Sequence, residues 1–230
     1  MKVVKAILFT VVAVIVSSCA FNPPVESRKA TFVNAKSIVI VTSVGKRAEL
    51  DYVGFTVFNN INEKIDISSW GMSEKMLAIA KDSLKGRFEI KLARYEAELE
   101  AIKYRPTEYR DFSGSSEQVL RPFLERIQKE TQSDIVFIIS QWPDGVPLRV
   151  VNTRDAGQRV QVPTMMSMID TKTGVEIFGI AAGVPCDYYK FDFKAANLKA
   201  ELERQRPTIE KLWLACATKS FDAFMARAGL

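Results

Sequence analysis

The sequence predicts an α/β protein, a mixed and largely antiparallel sheet with helices packed on its faces, folded as a single domain. Three observations predict it. Two β-branched runs, Ser37 to Val44 and Asp134 to Ile139, have the unbroken apolarity of strands buried on both faces. Stretches of helical period stand between and after them. A meander with turn chemistry at Asp170-Thr171-Lys172-Thr173-Gly174 then leads into a terminal helix.

The elements follow in order. Phe21 to Asn34, with Asn22-Pro23-Pro24, has no period and reads as a tether. After the Ser37 to Val44 strand, Gly45-Lys46-Arg47 turns the chain, and Tyr52 to Phe58 alternates as its hairpin partner. Met72 to Lys85 carries a helical stripe, Met72, Met76, Ile79 and Ala80, with Gly86 placed as its C′ residue. Phe88 to Leu92 alternates as a half-buried strand. Tyr95 to Asp111 is charged; a short helix with Tyr95, Leu99 and Ile102 inward, then a loop at Pro106, fits it.

Ser115 and Gln118 form a capping box before an apolar face of Leu120, Phe123, Leu124 and Ile127. Pro122 requires that helix either to start late, near Val119, or to kink. Asp134 to Ile139 is the central strand. Gln141 to Pro147 is a loop, Leu148 to Val151 a strand, and Thr153 to Gly157 a turn. Val160, Val162, Met166 and Met168 share one face, and Val175 to Ile180 returns antiparallel. A short helix from Ala195 stops at Pro207, and Thr208 caps a last helix with Ile209, Leu212, Trp213, Cys216, Ser220 and Phe224 inward.

Composition narrows the chemistry. The chain has 230 residues, 47% hydrophobic and 26% charged, ordinary for a globular core. Histidine is absent, which excludes Ser-His-Asp and Cys-His catalysis and imidazole zinc sites. Carboxylate-only catalysis and calcium survive that exclusion. The formal charge is +5. That is too small to imply nucleic acid.

The N-terminus carries an address. Lys2 and Lys5 precede an uncharged apolar stretch, Ala6 to Val16, shorter than the roughly 20 residues a transmembrane helix needs and of h-region length. It ends in Val16-Ser17-Ser18-Cys19, which resembles the lipobox of bacterial lipoproteins. The resemblance implies a signal peptide over residues 1–18, a mature N-terminus at Cys19 bearing acyl chains, a tether over 19–34 and a periplasmic domain over 35–230. Ala20, in place of the Asp that retains such proteins at the inner membrane, implies the outer membrane. Export puts Cys186 and Cys216 in an oxidising compartment, where they form a disulfide or remain as buried thiols.

A second resemblance rests on Ser133-Asp134 opening the central strand and on the Asp170-x-x-Thr173-Gly174 turn, with a terminal helix after them. This order is similar to the α/β domain of the curli-secretion lipoprotein, the N-terminal domain of the TolB translocation protein and lipoprotein activators of penicillin-binding proteins. Ser140-Gln141 departs from that pattern, which places a glycine after the strand. The resemblance implies a non-catalytic envelope module that works through protein contacts.

Candidate sites compete with plain structural roles. Asp134, Asp144, Asp170 and Asp187 lie near strand ends, where acid/base pairs sit and where turn chemistry also favours Asp. Ser113 to Glu117 lacks the spacing of a phosphate loop or nucleophile elbow and reads as a helix cap. Met165, Met166 and Met168 read as core filling rather than soft-metal ligands. Arg105, Tyr109 and Arg110 read as a solvated loop. Tyr188, Tyr189, Phe191 and Phe193 are the densest aromatic stretch and the candidate partner contact, against packing of the C-terminal helices onto the sheet. No metal and no cofactor is required. The expected function is protein binding in the envelope; the alternatives are a hydrolase using carboxylates or an unassisted serine, and a subunit of an oligomeric export channel.

Overall fold

The computed structural model describes residues 25–44, 46–52, 61–99, 116–141, 148–153, 157–161, 164–182, 188–189 and 198–229. Helix α1 (Val25–Asn34) leads into β1 (Ser37–Thr42), β2 (Arg47–Tyr52) and β3 (Ile61–Asp66). A 3-10 turn (Ser68–Trp70) opens α2 (Met72–Leu84), and β4 (Glu89–Tyr95), α3 (Ser116–Thr131) and β5 (Ile135–Gln141) follow. Then come β6 (Leu148–Thr153), β7 (Gly157–Gln161), β8 (Thr164–Asp170), β9 (Glu176–Ala182), β10 (Tyr188–Tyr189) and α4 (Leu198–Ala228).

The strands divide between two five-stranded sheets, ordered β4-β1-β5-β8-β9 and β10-β7-β6-β2-β3. In the first, β1 pairs in parallel with β4 and with β5, while β8 and β9 run antiparallel. The fold is therefore mixed α/β, as the patterning predicts. The hairpin predicted after β1 does not form on that strand. Both edges of β1 are taken by parallel neighbours, and the chain instead crosses to the second sheet at Arg47. Residues 53–58 of the predicted partner lie outside the described residues.

Alternation along the central strands separates two apolar faces. Ile38, Ile40, Ile135, Phe137 and Ile139 join α2 and α4 residues in one cluster, and Val39, Val41, Val136 and Ile138 join Leu120, Phe123, Leu124 and Ile127 of α3 in the other. The connection β1 to β4 moves one way across the sheet and β4 to β5 moves back past β1. Right-handed crossovers in opposite directions put their helices on opposite faces, and α2 and α3 are so placed. Ala48 and Ile65 of the second sheet are buried in the first cluster, so the sheets share one core.

Three further expectations are corrected. The segment read as a tether is helical from Val25, and Phe32 is buried at 5% exposure in the main cluster. Helix α3 is helical from Ser116 and runs through the exposed Pro122, so the late start near Val119, one of the two accommodations allowed for that proline, is not taken. The predicted break at Pro207 is absent: α4 is one helix of 31 residues, with Pro207 inside it and exposed. At the end of α2, Gly86 has φ +80°, as a C′ residue requires.

Candidate functional site

The amino-terminal ends of β1 and β5 are locked by the strand-opening residues. Asp134 accepts hydrogen bonds from the backbone N–H of Lys36 at 3.0 Å, the N–H of Ser37 at 3.1 Å and the Ser37 hydroxyl at 3.0 Å. Ser37 Oγ in turn accepts from the Asp134 N–H at 3.1 Å. From the β8–β9 turn, the Thr171 hydroxyl donates to the Ser133 carbonyl and the Thr171 N–H to the Asp134 carbonyl at 3.1 Å. Asp170 closes its own turn by accepting from the N–H groups of Lys172 at 2.8 Å and Thr173 at 3.0 Å. Gly174, at φ +71°, supplies the left-handed step that completes it.

This geometry determines what the two carboxylates can do. The Lys36 N–H, aided by Ser37 and by Lys172 Nζ at 4.0 Å, holds the Asp134 carboxyl below its ordinary value despite the opposing effect of burial. A general base or acid is useful when its pKa lies near the working pH, and this shift runs the other way. Asp134 and Asp170 line one recess with Thr31, Asn34, Ala35 and Lys172. Among the described residues no group of three or more carboxylates or cysteines is disposed to hold a metal ion. The pair acts as a structural latch.

The aromatic stretch begins at a sheet edge. Tyr188 and Tyr189 form β10, the outermost strand of the second sheet, paired antiparallel with Arg159 and Gln158 of β7. An edge strand presents backbone donors and acceptors that an added strand can use. Phe191 and Phe193 lie outside the described residues, as do Asp144, Asp187, Cys19, Cys186, Ser113 to Ser115, Arg105, Tyr109 and Arg110. Cys216 is 4% exposed on α4 and disulfide-bonded. Met166 and Met168 are fully buried in the main core, where alternation puts them.

Local pattern gives no sign of three other groupings. Trp70, 1% exposed, donates through Nε1 to Glu203 at 3.1 Å, while the Arg206 guanidinium stands 5.3 Å over its ring and donates to the Ser69 carbonyl at 3.1 Å. On the other face, Arg94 grips Glu130 with two bonds of 2.6 and 2.8 Å and also bonds Glu96. Arg126 reaches Glu96 at 3.2 Å and Glu98 at 2.9 Å, so the end of β4 is sewn to α3. At the carboxyl ends of β1 and β5, and at the start of β8, the hydroxyls of Ser43, Ser140 and Thr164 are buried without a hydrogen-bond partner. A serine nucleophile needs an adjacent base; neither serine has one in hydrogen-bond contact.

Fold and site together define a mixed α/β scaffold whose described strand-end carboxylates serve its own backbone. No protein-family profile matches the chain, and no curated protein matches it. Among solved structures the chain is similar to the crystal structure of lipoprotein GNA1162 from Neisseria meningitidis, at 11% identity and a TM-score of 0.32, covering 76% of this chain and 99% of that one. Among the described residues no helix is long and apolar enough to cross a membrane.

Proposed function

We propose that this protein is a lipoprotein anchored through Cys19 to the outer membrane, with a non-catalytic periplasmic domain that binds another envelope protein. The observation that carries the non-catalytic part is the state of Asp134 and Asp170, both bound to backbone N–H groups of their own chain. The anchor rests on the lipobox Val16-Ser17-Ser18-Cys19, and two or more acyl chains give stable attachment where one gives only marginal binding. The binding surface is the β10 edge, where Tyr188 and Tyr189 open an aromatic stretch that continues to Phe191 and Phe193. In this reading Cys186 is the disulfide partner of Cys216.

The test is photo-crosslinking from position 188 in intact cells, with adducts identified by mass spectrometry. A reproducible protein adduct, lost when β10 is disrupted by Tyr189→Pro, is the expected result. Absence of any adduct across growth conditions removes the adapter role. Labelled palmitate separately tests the anchor: incorporation is expected in the native chain and none in Cys19→Ser.

A further inference from the structure

We infer that the face formed by α1 and the Lys85–Phe88 turn lies against the phospholipid headgroups, so that the domain is held close to the bilayer in one orientation. The inference rests on Cys19 being the lipid anchor and follows from where the folded body begins.

A tether reaching residue 35 allows sixteen backbone steps from Cys19, roughly 55 Å at full extension. The first described residue, Val25, is already helical, and only six steps separate it from Cys19, roughly 21 Å at most. Helix α1 is not a loose extension of the lead segment. The Phe32 ring packs on Phe88 at 5.7 Å, and the Arg87 guanidinium covers both rings at 5.7 and 5.5 Å. Beyond the helix, the Lys36 N–H is held by Asp134 at 3.0 Å and the Lys36 carbonyl by the Glu89 N–H at 2.8 Å. The helix is thus fixed through its last turn and the residues just after it. Seven steps lead from Val25 to Phe32, about 10 Å of helix, so the Phe32 contact with the Lys85–Phe88 turn lies within roughly 31 Å of Cys19.

The chemistry of this corner suits anionic headgroups. Lys36, Lys85 and Arg87 are exposed there, and the neighbouring Glu89 is paired with Lys91 at 2.7 Å. Basic side chains within a Debye length of an anionic leaflet are drawn toward it.

The experiment uses the full lipidated protein in vesicles of phosphatidylethanolamine and phosphatidylglycerol carrying a headgroup acceptor dye. A donor sits at Ser83→Cys, an exposed position on α2 that leaves both basic residues of the turn in place. Energy transfer should be strong. It should fall several-fold when fifteen Gly/Ser residues are inserted between Pro24 and Val25, and also in Lys85→Glu/Arg87→Glu. Unchanged transfer in either variant overturns the inference. Vesicle flotation separates this from the anchor: protein that does not float refutes the role of Cys19, whereas protein that floats with insertion-insensitive transfer refutes only the close, oriented placement.

Discussion

Asp134 shows how one carboxylate can join two strands far apart in sequence. It lies 97 residues from Ser37, yet it accepts both that residue's N–H and its hydroxyl. Three charge-assisted bonds would be worth several kcal/mol if buried, but this side chain is 35% exposed and solvent screens it. Asp134→Ala should therefore cost about 1–2 kcal/mol in urea unfolding. Because the folded carboxyl is held below its ordinary value of 3.8, chiefly by the Lys36 N–H, its contribution is present above that value and is lost as pH falls through the lower folded pKa. The variant should accordingly show a flatter loss of stability below about pH 4 than the native chain. Gly179 is a second residue with a definite requirement. A Cβ there would stand 2.6 Å from Glu176 Oε1 and 2.8 Å from Ser167 Oγ, and that hydroxyl donates to the carboxylate's other oxygen, Oε2, in a buried hydrogen bond of 3.0 Å. Gly179→Ala should cost about 1–3 kcal/mol by overpacking, measured as a lowered urea midpoint at unchanged slope. The sequence marks Asp134 as a strand opener, but its partner at Ser37 depends on sheet order, which no local pattern encodes. Gly179 reads in the sequence as an ordinary strand residue, because its constraint comes from a Glu176 side chain that Ser167, its partner across the sheet, holds by a hydrogen bond.

Helix α4 shows tertiary contacts overriding a local breaker. Proline inside a helix costs about 3 kcal/mol through a lost hydrogen bond and a ring clash, so a stop at Pro207 is the natural reading. The structure continues because the turns on either side are clamped to the same surface. Glu203 and Arg206 engage Trp70 and Ser69, and Glu210 takes Arg206 at 2.7 Å and Lys75 at 2.9 Å. Burial pushes the Glu210 carboxyl up, but Arg206 and Lys75 outweigh it and hold the group below its ordinary value. Lys75 also donates to the Trp70 carbonyl at 2.7 Å, so the cluster ties α2, the 3-10 turn and α4 together. Pro207→Ala should restore the missing bond and stabilise the protein by about 1–2 kcal/mol, part of the gain being offset by a more flexible unfolded chain. Trp70→Ala should cost about 3–5 kcal/mol, since it empties a fully buried ring site and removes the donor to Glu203. Thermal unfolding by circular dichroism reads both, with opposite signs. The helix period and the inward Ile209, Trp213, Cys216 and Phe224 were legible in the sequence. The continuity of the helix was not, because it depends on a tryptophan more than 130 residues away.

At the scale of the whole molecule, the proposed pairing of Cys186 with Cys216 would link the binding edge to helix α4 by sulfur. Helix α4 is anchored in the main core by Ile209, Trp213, Ala217, Phe221 and Phe224, with Phe224 stacked at 5.2 Å on Phe137 of the central strand. Cys216 lies among these residues and is disulfide-bonded. Among the described residues strand β10 is two residues long, and two paired residues alone supply too few hydrogen bonds to offset the entropy of ordering their backbone. The proposed Cys186–Cys216 bond would end two residues before β10, tying the edge strand to the rigid helix. Closing a loop of about 30 residues should stabilise the fold by about 3–4 kcal/mol. A thermal scan of the mature chain with and without dithiothreitol tests the pairing. Reductant should lower the native midpoint by several degrees and leave Cys216→Ser and Cys186→Ser unaffected, both already at the reduced value, since each removes the same bond. If Cys186→Ser keeps both the native midpoint and its sensitivity to reductant while Cys216→Ser loses them, the partner is another cysteine and β10 is held without a covalent tie. Hydrogen exchange at Tyr188 and Tyr189 carries the argument to function: protection that falls on reduction, in step with weaker crosslinking from position 188, would tie the binding edge to the oxidising compartment that export provides.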